Sequence, residues 1–428
     1  MDESKKSSRP SRLRILVFTH YYWPEVFRIN HLVEDLIREG AEVTVLTGFP
    51  SYPGGKVFPG YSPWRPRRER HPTGYEILRV PVVPRGSGSG VSLAFNYLSF
   101  VVTGVLVGSW LLRGKRFDVL FNFCTTPAIQ GFIGVWLRLT NGGKLVLWVQ
   151  DLWPQALAST GFVRSPGLLW LVGKVVSILY RSSDLVLGQS RAFVRFIRPV
   201  AGGTPVEFFP NPGEREVPPT SVGYLQLSGR FNVVFAGNLG KAQALETVVD
   251  AAEMLQHDPD FHFTLVGTGS MSEWIAHAID RRGIANLTLP GRVPPEAMPA
   301  IYAQASALLL TLVDDELLAQ TVPTKLQSYL AAGIPVIAAV NGEAAEIVAE
   351  SGGGLPCRAG DPVALADALG RLKAMSEGEQ SAMGEAGRRY FEQNYRPERL
   401  ARELFDRLRA VSRDDGSVIA RHASDGRE

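Results

Sequence analysis

The sequence predicts an α/β protein with two doubly wound, Rossmann-like domains facing a central cleft. Three observations carry this. Apolar strand-like runs alternate with helical spacing twice over. A proline- and glycine-rich stretch at 202–221, "GGTPVEFFPNPGEREVPPTS", separates the two series. The 428 residues, 45% of them apolar, suffice for two or three cores. Alternating strands and helices imply parallel sheets with right-handed crossovers, and ligands favour the carboxyl ends of such strands.

In the first series, "LRILVFTHYYWPE" is an apolar strand entering a loop. "RINHLVEDLIREG" sets Ile29, Leu32, Val33, Leu36 and Ile37 on one helical face and stops at Gly40. "AEVTVLTGFP", "FDVLFNFCT", "GKLVLWVQD" and "SDLVLGQS" continue as strands. The second series restarts with "RFNVVFAGNLG" and the helix "ALETVVDAAEML". It continues with "FHFTLVGTG", "SEWIAHAIDRRG", "NLTLPGRV" and "TKLQSYLAAGIPVIAA". The domain limits read from this are 13–205 and 206–390. A helical segment, 391–412, is expected to pack back toward the first domain. Polar tails flank these at 1–12, which carries no secretory pattern, and at 413–428.

Two cysteines, Cys124 and Cys357, exclude a disulfide scaffold or a zinc cluster and fit a reducing compartment. Charge is unevenly spread. Residues 1–210 hold 25 Lys and Arg against 13 Asp and Glu, a net +12, whereas the whole chain is only +3. Nucleic acid, an anionic membrane or a phosphorylated substrate would each suit the basic half, as would a merely solvated surface.

Three strand-to-glycine turns mark the second domain: Gly237-Asn238-Leu239-Gly240 with Lys241 following, Gly267-Thr268-Gly269, and Pro290-Gly291-Arg292. Glycine admits a ligand close to the backbone, and a helix start offers free N–H groups to an anion. Lys325 follows Thr324 at another helix start. Together these favour a nucleotide diphosphate over turns of purely structural meaning. "HDPD" at 257–260 reads as a helix-ending turn rather than a metal site.

In the first domain Asp151 ends a strand in "VQDLWP" and reads as either a proton acceptor or a turn cap. Glu25 and Arg28 follow the first strand. Glu25 suits an acceptor hydroxyl and Arg28 a phosphate, unless the two form a local ion pair. His20 precedes them as an acceptor-side or strand-capping residue. The run 91–112, "VSLAFNYLSFVVTGVLVGSWLL", has no charge over 22 residues, enough to cross about 30 Å of hydrocarbon as a helix. Basic residues 65–70 and 113–116 bracket it. It is expected to lie partly in the domain and partly in a membrane surface, with a wholly buried core helix as the alternative. A second apolar-basic helix is read at 165–183.

"GNLGKAQALE", "LVGTGS", "LPGRVPPEAMPAIYAQA" and "TVPTKLQSYLAAGIPVIAAVNGEAAEIV" resemble the donor half of retaining glycosyltransferases of family 4. "FTHYYWPEVFRINHLVEDLIREGAEVTVLTGFPSYPGGKVFPGY" and "WVQDLWPQAL" resemble the branch containing O-antigen N-acetyl-L-fucosamine transferases and colanic-acid-type glycosyltransferases. The similarity spans residues 13 to 410. It implies the GT-B fold, a UDP-sugar held by the second domain, and retention at the anomeric carbon. An undecaprenyl diphosphate-linked saccharide is the implied acceptor at the cytoplasmic face of the membrane, with no cofactor, metal or nucleic acid. The family's two glutamates, eight positions apart, correspond here to Gln320 and Ser328. Its arginine and lysine after the first strand of that domain correspond to Asn238 and Gln243, which leaves Lys325 as the clearest diphosphate cation. Other readings of the architecture are a UDP-sugar 2-epimerase and a non-catalytic membrane-associated relative.

Overall fold

The computed structural model describes residues 12–414 except 53, 87–89, 160–162, 164 and 216–224. Almost all of both expected polar tails lies outside the described residues. The chain forms two units, 1–210 with 398–428, and 211–397.

The first unit contains β1 (Arg14–Phe18), α1 (Arg28–Arg38), β2 (Glu42–Thr47), β3 (Arg67–Arg70), β4 (Glu76–Arg79), α2 (Gly90–Leu111) and β5 (Val119–Cys124). It continues through α3 (Gly131–Asn141), β6 (Lys144–Val149), α4 (Gln155–Ser159), α5 (Pro166–Arg181), β7 (Leu185–Gly188), α6 (Arg191–Ile197) and β8 (Val206–Phe208). The sheet order is β3-β4-β2-β1-β5-β6-β7-β8. All neighbours are parallel except the β3–β4 pair. Both faces are covered, so β1, β5 and β6 read as continuous apolar runs.

The expected basic cluster at 65–70 is, in its second half, the edge strand β3. Arg67 pairs with Glu69, and Arg68 with Glu76. The buried Arg79 of β4 donates to Glu69 at 2.6 Å, and Lys115 pairs with Glu76. Charged side chains on an edge strand also discourage further pairing. Glu69 and Glu76 thus offset part of the charge that the sequence assigned to lipid.

The second unit runs β9 (Phe231–Ala236), α7 (Leu245–Leu255), β10 (Phe261–Val266), α8 (Ser272–Arg282), β11 (Leu287–Gly291), α9 (Met298–Tyr302) and β12 (Ala307–Thr311). It ends with α10 (Thr324–Ala332), β13 (Val336–Ala339), α11 (Glu343–Ser351), β14 (Gly354–Cys357), α12 (Pro362–Lys373) and α13 (Glu377–Asn394). Its parallel sheet has the order β11-β10-β9-β12-β13-β14. Asp258 and Asp260, in the turn between α7 and β10, both hold Lys373, at 2.6 and 2.9 Å.

α14 (Pro397–Ser412) returns to the first unit, where Leu400, Leu404, Phe405 and Leu408 join the core around β1 and β5. Its Arg407 pairs with the buried Glu207 of β8 at 3.1 Å. The expected boundary at 390/391 would cut α13, whose capping box at Ser376 and Glu379 starts one uninterrupted helix reaching Asn394. The division at Pro397 replaces it, and the first division falls at Pro210 rather than 205.

Candidate active site

In each sheet the strand order reverses beside the first strand of the unit, at β1/β5 and at β9/β12. Crevices outside the carboxyl ends of such strands are where open α/β sheets bind ligands.

At the second switch point lies a pocket of about 690 Å³, ample for a nucleotide. Gly237, Asn238, Gly267, Arg292, Thr324, Lys325 and Ser328 line it, with Met298 and Tyr302 as an apolar wall. Gly240, Lys241, Gly269 and Gln320, also expected in the site, are not among its walls. Lys241 is exposed on the short helical turn 241–243, and Gln320 sits on a turn before α10.

Lys325 enters as the second residue of α10, a helix capped on its far side by Gly333 at positive φ. Its ammonium lies 3.8 Å from the Phe235 ring centroid and donates to Gln243 Oε1. Among the described residues no carboxylate pairs with it. Burial lowers its pKa from 10.5 to about 7. The glycines fit this packing. A Cβ on Gly237, whose φ is +139°, would stand 2.4 Å from Lys325 Cε. A Cβ on Gly267 would stand 1.8 Å from the Gly237 carbonyl oxygen. These two glycines are therefore needed to seat the loops and the lysine against each other, whatever they also do for a ligand.

Sequence reasoning missed Glu214. It lines the same pocket and accepts a long hydrogen bond from Ser328 Oγ at 3.5 Å. No motif marks it, since it comes from the proline- and glycine-rich joining segment. The Gln243–Lys325 pair was equally invisible, being 82 residues apart.

At the first switch point the three acceptor-side residues take different roles. Glu25 is buried, and its carboxylate accepts backbone N–H groups of Tyr22, Ser51 and Tyr52 at 3.2, 2.7 and 2.6 Å. Burial raises its pKa while these bonds oppose the rise. It clamps the β1 and β2 loops together. Arg28 is the half-buried first residue of α1. His20 is 2% exposed, stacked between Tyr21 at 4.3 Å and Phe100 of α2 at 4.7 Å. Burial, aided by Arg85, lowers its pKa to about 3, so the ring is neutral at ordinary pH. Asp151, after β6, uses Oδ2 to accept from Thr126 N at 2.8 Å and Thr126 Oγ1 at 2.9 Å. This is a turn cap on the β5–α3 connection.

α2 is turned inside out. Asn96, Phe100, Gly104, Gly108 and Leu111 form its buried stripe. Gly104 admits Ile133, and Gly108 admits Leu46. Val91, Phe95, Leu98, Val102, Leu106 and Trp110 are exposed. The 22-residue helix is long and apolar enough to cross a membrane, and only 17% of its most apolar window is buried. A wholly buried core helix is thereby excluded.

Residues 26–212 match the glycosyl transferase 4-like domain model, and residues 230–374 match the glycosyl transferases group 1 model. WbjE of Pseudomonas aeruginosa, named as a glycosyltransferase, is 25% identical over 88% of this chain and 90% of its own length. WcaI of Escherichia coli (strain K12), whose name assigns it as a glycosyl transferase to colanic acid biosynthesis, is 28% identical over 75% of this chain and 82% of its own. Among solved structures, sucrose-phosphate synthase from Thermosynechococcus elongatus superposes with a TM-score of 0.68 at 16% identity, over 94% of this chain and 99% of that one. Anabaena HepE in complex with UDP and glucose gives 0.63 at 16% identity, over 93% and 100%. The fold is that of the GT-B glycosyltransferases, and the chain is a glycosyltransferase. Neither the matched models nor these relatives support the epimerase alternative.

Proposed function

We propose that this glycosyltransferase moves a sugar from UDP, with retention, to an undecaprenyl diphosphate-linked saccharide during bacterial surface polysaccharide synthesis. The sugar is an N-acetylated deoxy-sugar such as N-acetylfucosamine. The observation that carries the donor half is Lys325, a buried amine with no carboxylate partner among the described residues, set at a helix start beside two glycine turns in a nucleotide-sized pocket. Its charge and the N-terminal dipole of α10 would stabilise the departing diphosphate without a metal ion. HepE, similar in fold, was crystallised with UDP, which supports the choice of nucleotide. WcaI's name supports the polysaccharide context.

Ser328 and Glu214 would meet ribose hydroxyls, and Arg292 would add charge near the phosphates. Asp151 would act on the acceptor side through Oδ1, the oxygen not used in its turn cap. Glu25 would act only by shaping the loops that receive the acceptor, with His20 and Arg28 beside it. The exposed stripe of α2 would lie in the inner surface of the cytoplasmic membrane, where a polyprenyl-linked acceptor resides.

The test is incubation of the full chain with UDP-N-acetylfucosamine or other UDP-sugars and a bacterial membrane extract. Transfer of label to extractable lipid is expected. Free epimerised nucleotide sugar, or no turnover with any donor, would overturn the reading.

A further inference from the structure

Residues 81–85, which follow β4, are fastened along α2. Thr103 Oγ1 donates to the Pro81 carbonyl at 2.6 Å, and Asn96 Nδ2 to the Val83 carbonyl at 2.6 Å. Ser99 Oγ accepts from Val83 N at 2.9 Å, and Ser92 Oγ donates to the Arg85 carbonyl. Residues 92, 96, 99 and 103 form one helical stripe, so the position of Arg85 is set by α2 itself.

The Arg85 guanidinium stands 6.0 Å from the Tyr21 ring centroid and 5.9 Å from that of Tyr52. Behind Tyr21 come His20 and then Phe100, with Tyr97 edge-on to His20 at 5.8 Å. Several other cations of this unit sit beside carboxylates: Arg79 and Arg67 beside Glu69, Arg68 and Lys115 beside Glu76, Arg138 beside Asp184. Arg85 has no carboxylate partner among the described residues. Of the nearby acids, Glu25 is committed to three backbone N–H groups, and Asp151 holds Thr126 through Oδ2. His20, neutral and buried, does not compete for an anion.

We propose that Arg85, framed by Tyr21 and Tyr52, binds a phosphate or diphosphate group of an amphiphilic acceptor whose hydrocarbon lies along the exposed stripe of α2. This rests on the transferase reading given above. Aromatic faces orient a guanidinium and leave its N–H edge for a tetrahedral oxyanion, which it meets in bidentate fashion. The apolar stripe begins at Val91, six positions beyond Arg85. A charged head followed directly by hydrocarbon is the chemistry that fits both features. Free phosphate would use only the first.

The experiment is calorimetric titration of the full chain with inorganic pyrophosphate and with farnesyl diphosphate, UDP being saturating so that the Lys325 pocket is filled. Farnesyl diphosphate is expected to bind at least tenfold more tightly than pyrophosphate. Arg85→Gln should weaken both at least tenfold, and Arg85→Lys, which keeps the charge but not the fork, should restore only part. An unchanged thermal melt and circular dichroism spectrum in each variant show that the unit carrying Arg85 is folded. If Arg85→Gln does not fold, Arg85→Lys decides alone, and wild-type affinity for both probes in it overturns forked recognition. Wild-type affinities in Arg85→Gln overturn the site. Equal affinity of the wild type for the two probes overturns the lipid source and leaves a phosphate site. Failure of the transferase reading looks different: no labelled lipid from membrane extract, with Arg85-dependent pyrophosphate binding intact.

Discussion

Binding of UDP should be coupled to protonation of Lys325. In the free protein burial lowers its pKa to about 7 against 10.5 in the unfolded chain. Between these values the unfolded state holds a proton that the folded state lacks, so the contribution to stability rises with pH across that window. Below pH 7 the buried charge is present and destabilising, which is the state a diphosphate would bind. Above pH 7 the charge must be restored on binding. UDP affinity should therefore fall by up to about tenfold per pH unit above 7, each unit being about 1.36 kcal/mol, until the pKa of the complex is reached. Burial raises the pKa of Tyr302, so it does not impose this slope. The phosphate's own second ionisation near pH 6 makes pH 6.5–9 the useful range. Titration calorimetry in two buffers of different ionisation heat should show uptake approaching one proton per UDP above pH 7.5. Lys325→Met should bind UDP about 10- to 150-fold more weakly at pH 6.5, the worth of a charged hydrogen bond at roughly 1.5–3 kcal/mol, and show no slope. A flat wild-type profile without proton uptake, or wild-type affinity in Lys325→Met, would refute the assignment.

Glu214→Ala should weaken UDP binding by roughly three- to tenfold with no change in Tm, matching loss of one hydrogen bond to a ribose hydroxyl at about 1 kcal/mol; tighter binding would show that the carboxylate repels the diphosphate instead. Gly237→Ala, which forces a Cβ against Lys325 at a left-handed φ, should lower stability by about 1–3 kcal/mol in urea melts and impair UDP binding with it. Arg113→Ala with Arg116→Ala should reduce affinity for phosphatidylserine vesicles by about 2 kcal/mol, at about 1 kcal/mol per exposed basic residue, whereas Lys115→Ala, already paired with Glu76, should cost less. A loss of about 1 kcal/mol in Lys115→Ala, the full value for one basic residue, would show that the Glu76 pair does not hold at the membrane.

Much of this molecule is legible along the chain because strand, glycine turn and helix follow one another locally. The βα units around α1, α7 and α8, and the placement of Lys325 at the start of α10, need only neighbours in sequence. What hides are contacts made across the sheets. Glu25 looks reactive from its place after β1, yet its carboxylate serves the backbone of a loop 26 residues on. Strand β3 reads as a basic cluster because "RRER" has no apolar alternation. Its pairing with β4 comes from the ladder and from Glu69 and Glu76, not from an apolar face.

α2 shows why composition could not settle its own question. A run without charge is equally consistent with core, interface or span, since hydropathy averages over all sides of the helix. The decision lies in which side is small and polar. Asn96, Ser99, Thr103, Gly104 and Gly108 face the protein, where glycines admit Ile133 and Leu46 and the polar groups hold residues 81–83. Apart from Phe100 and Leu111, the bulky side chains are left outside. The same helix therefore does two things that hydropathy cannot distinguish. It presents an uncovered apolar stripe, and it fixes Arg85 at the end of that stripe, beside the carboxyl edge of the sheet. A buried helix needs no polar stripe toward its own domain, and a solvent-facing one would not leave Phe95, Leu106 and Trp110 exposed together. On the proposed reading, an amphiphile lying along the stripe would deliver its phosphate to Arg85, so that one helix would both hold the hydrocarbon and set the residue that meets the charged head.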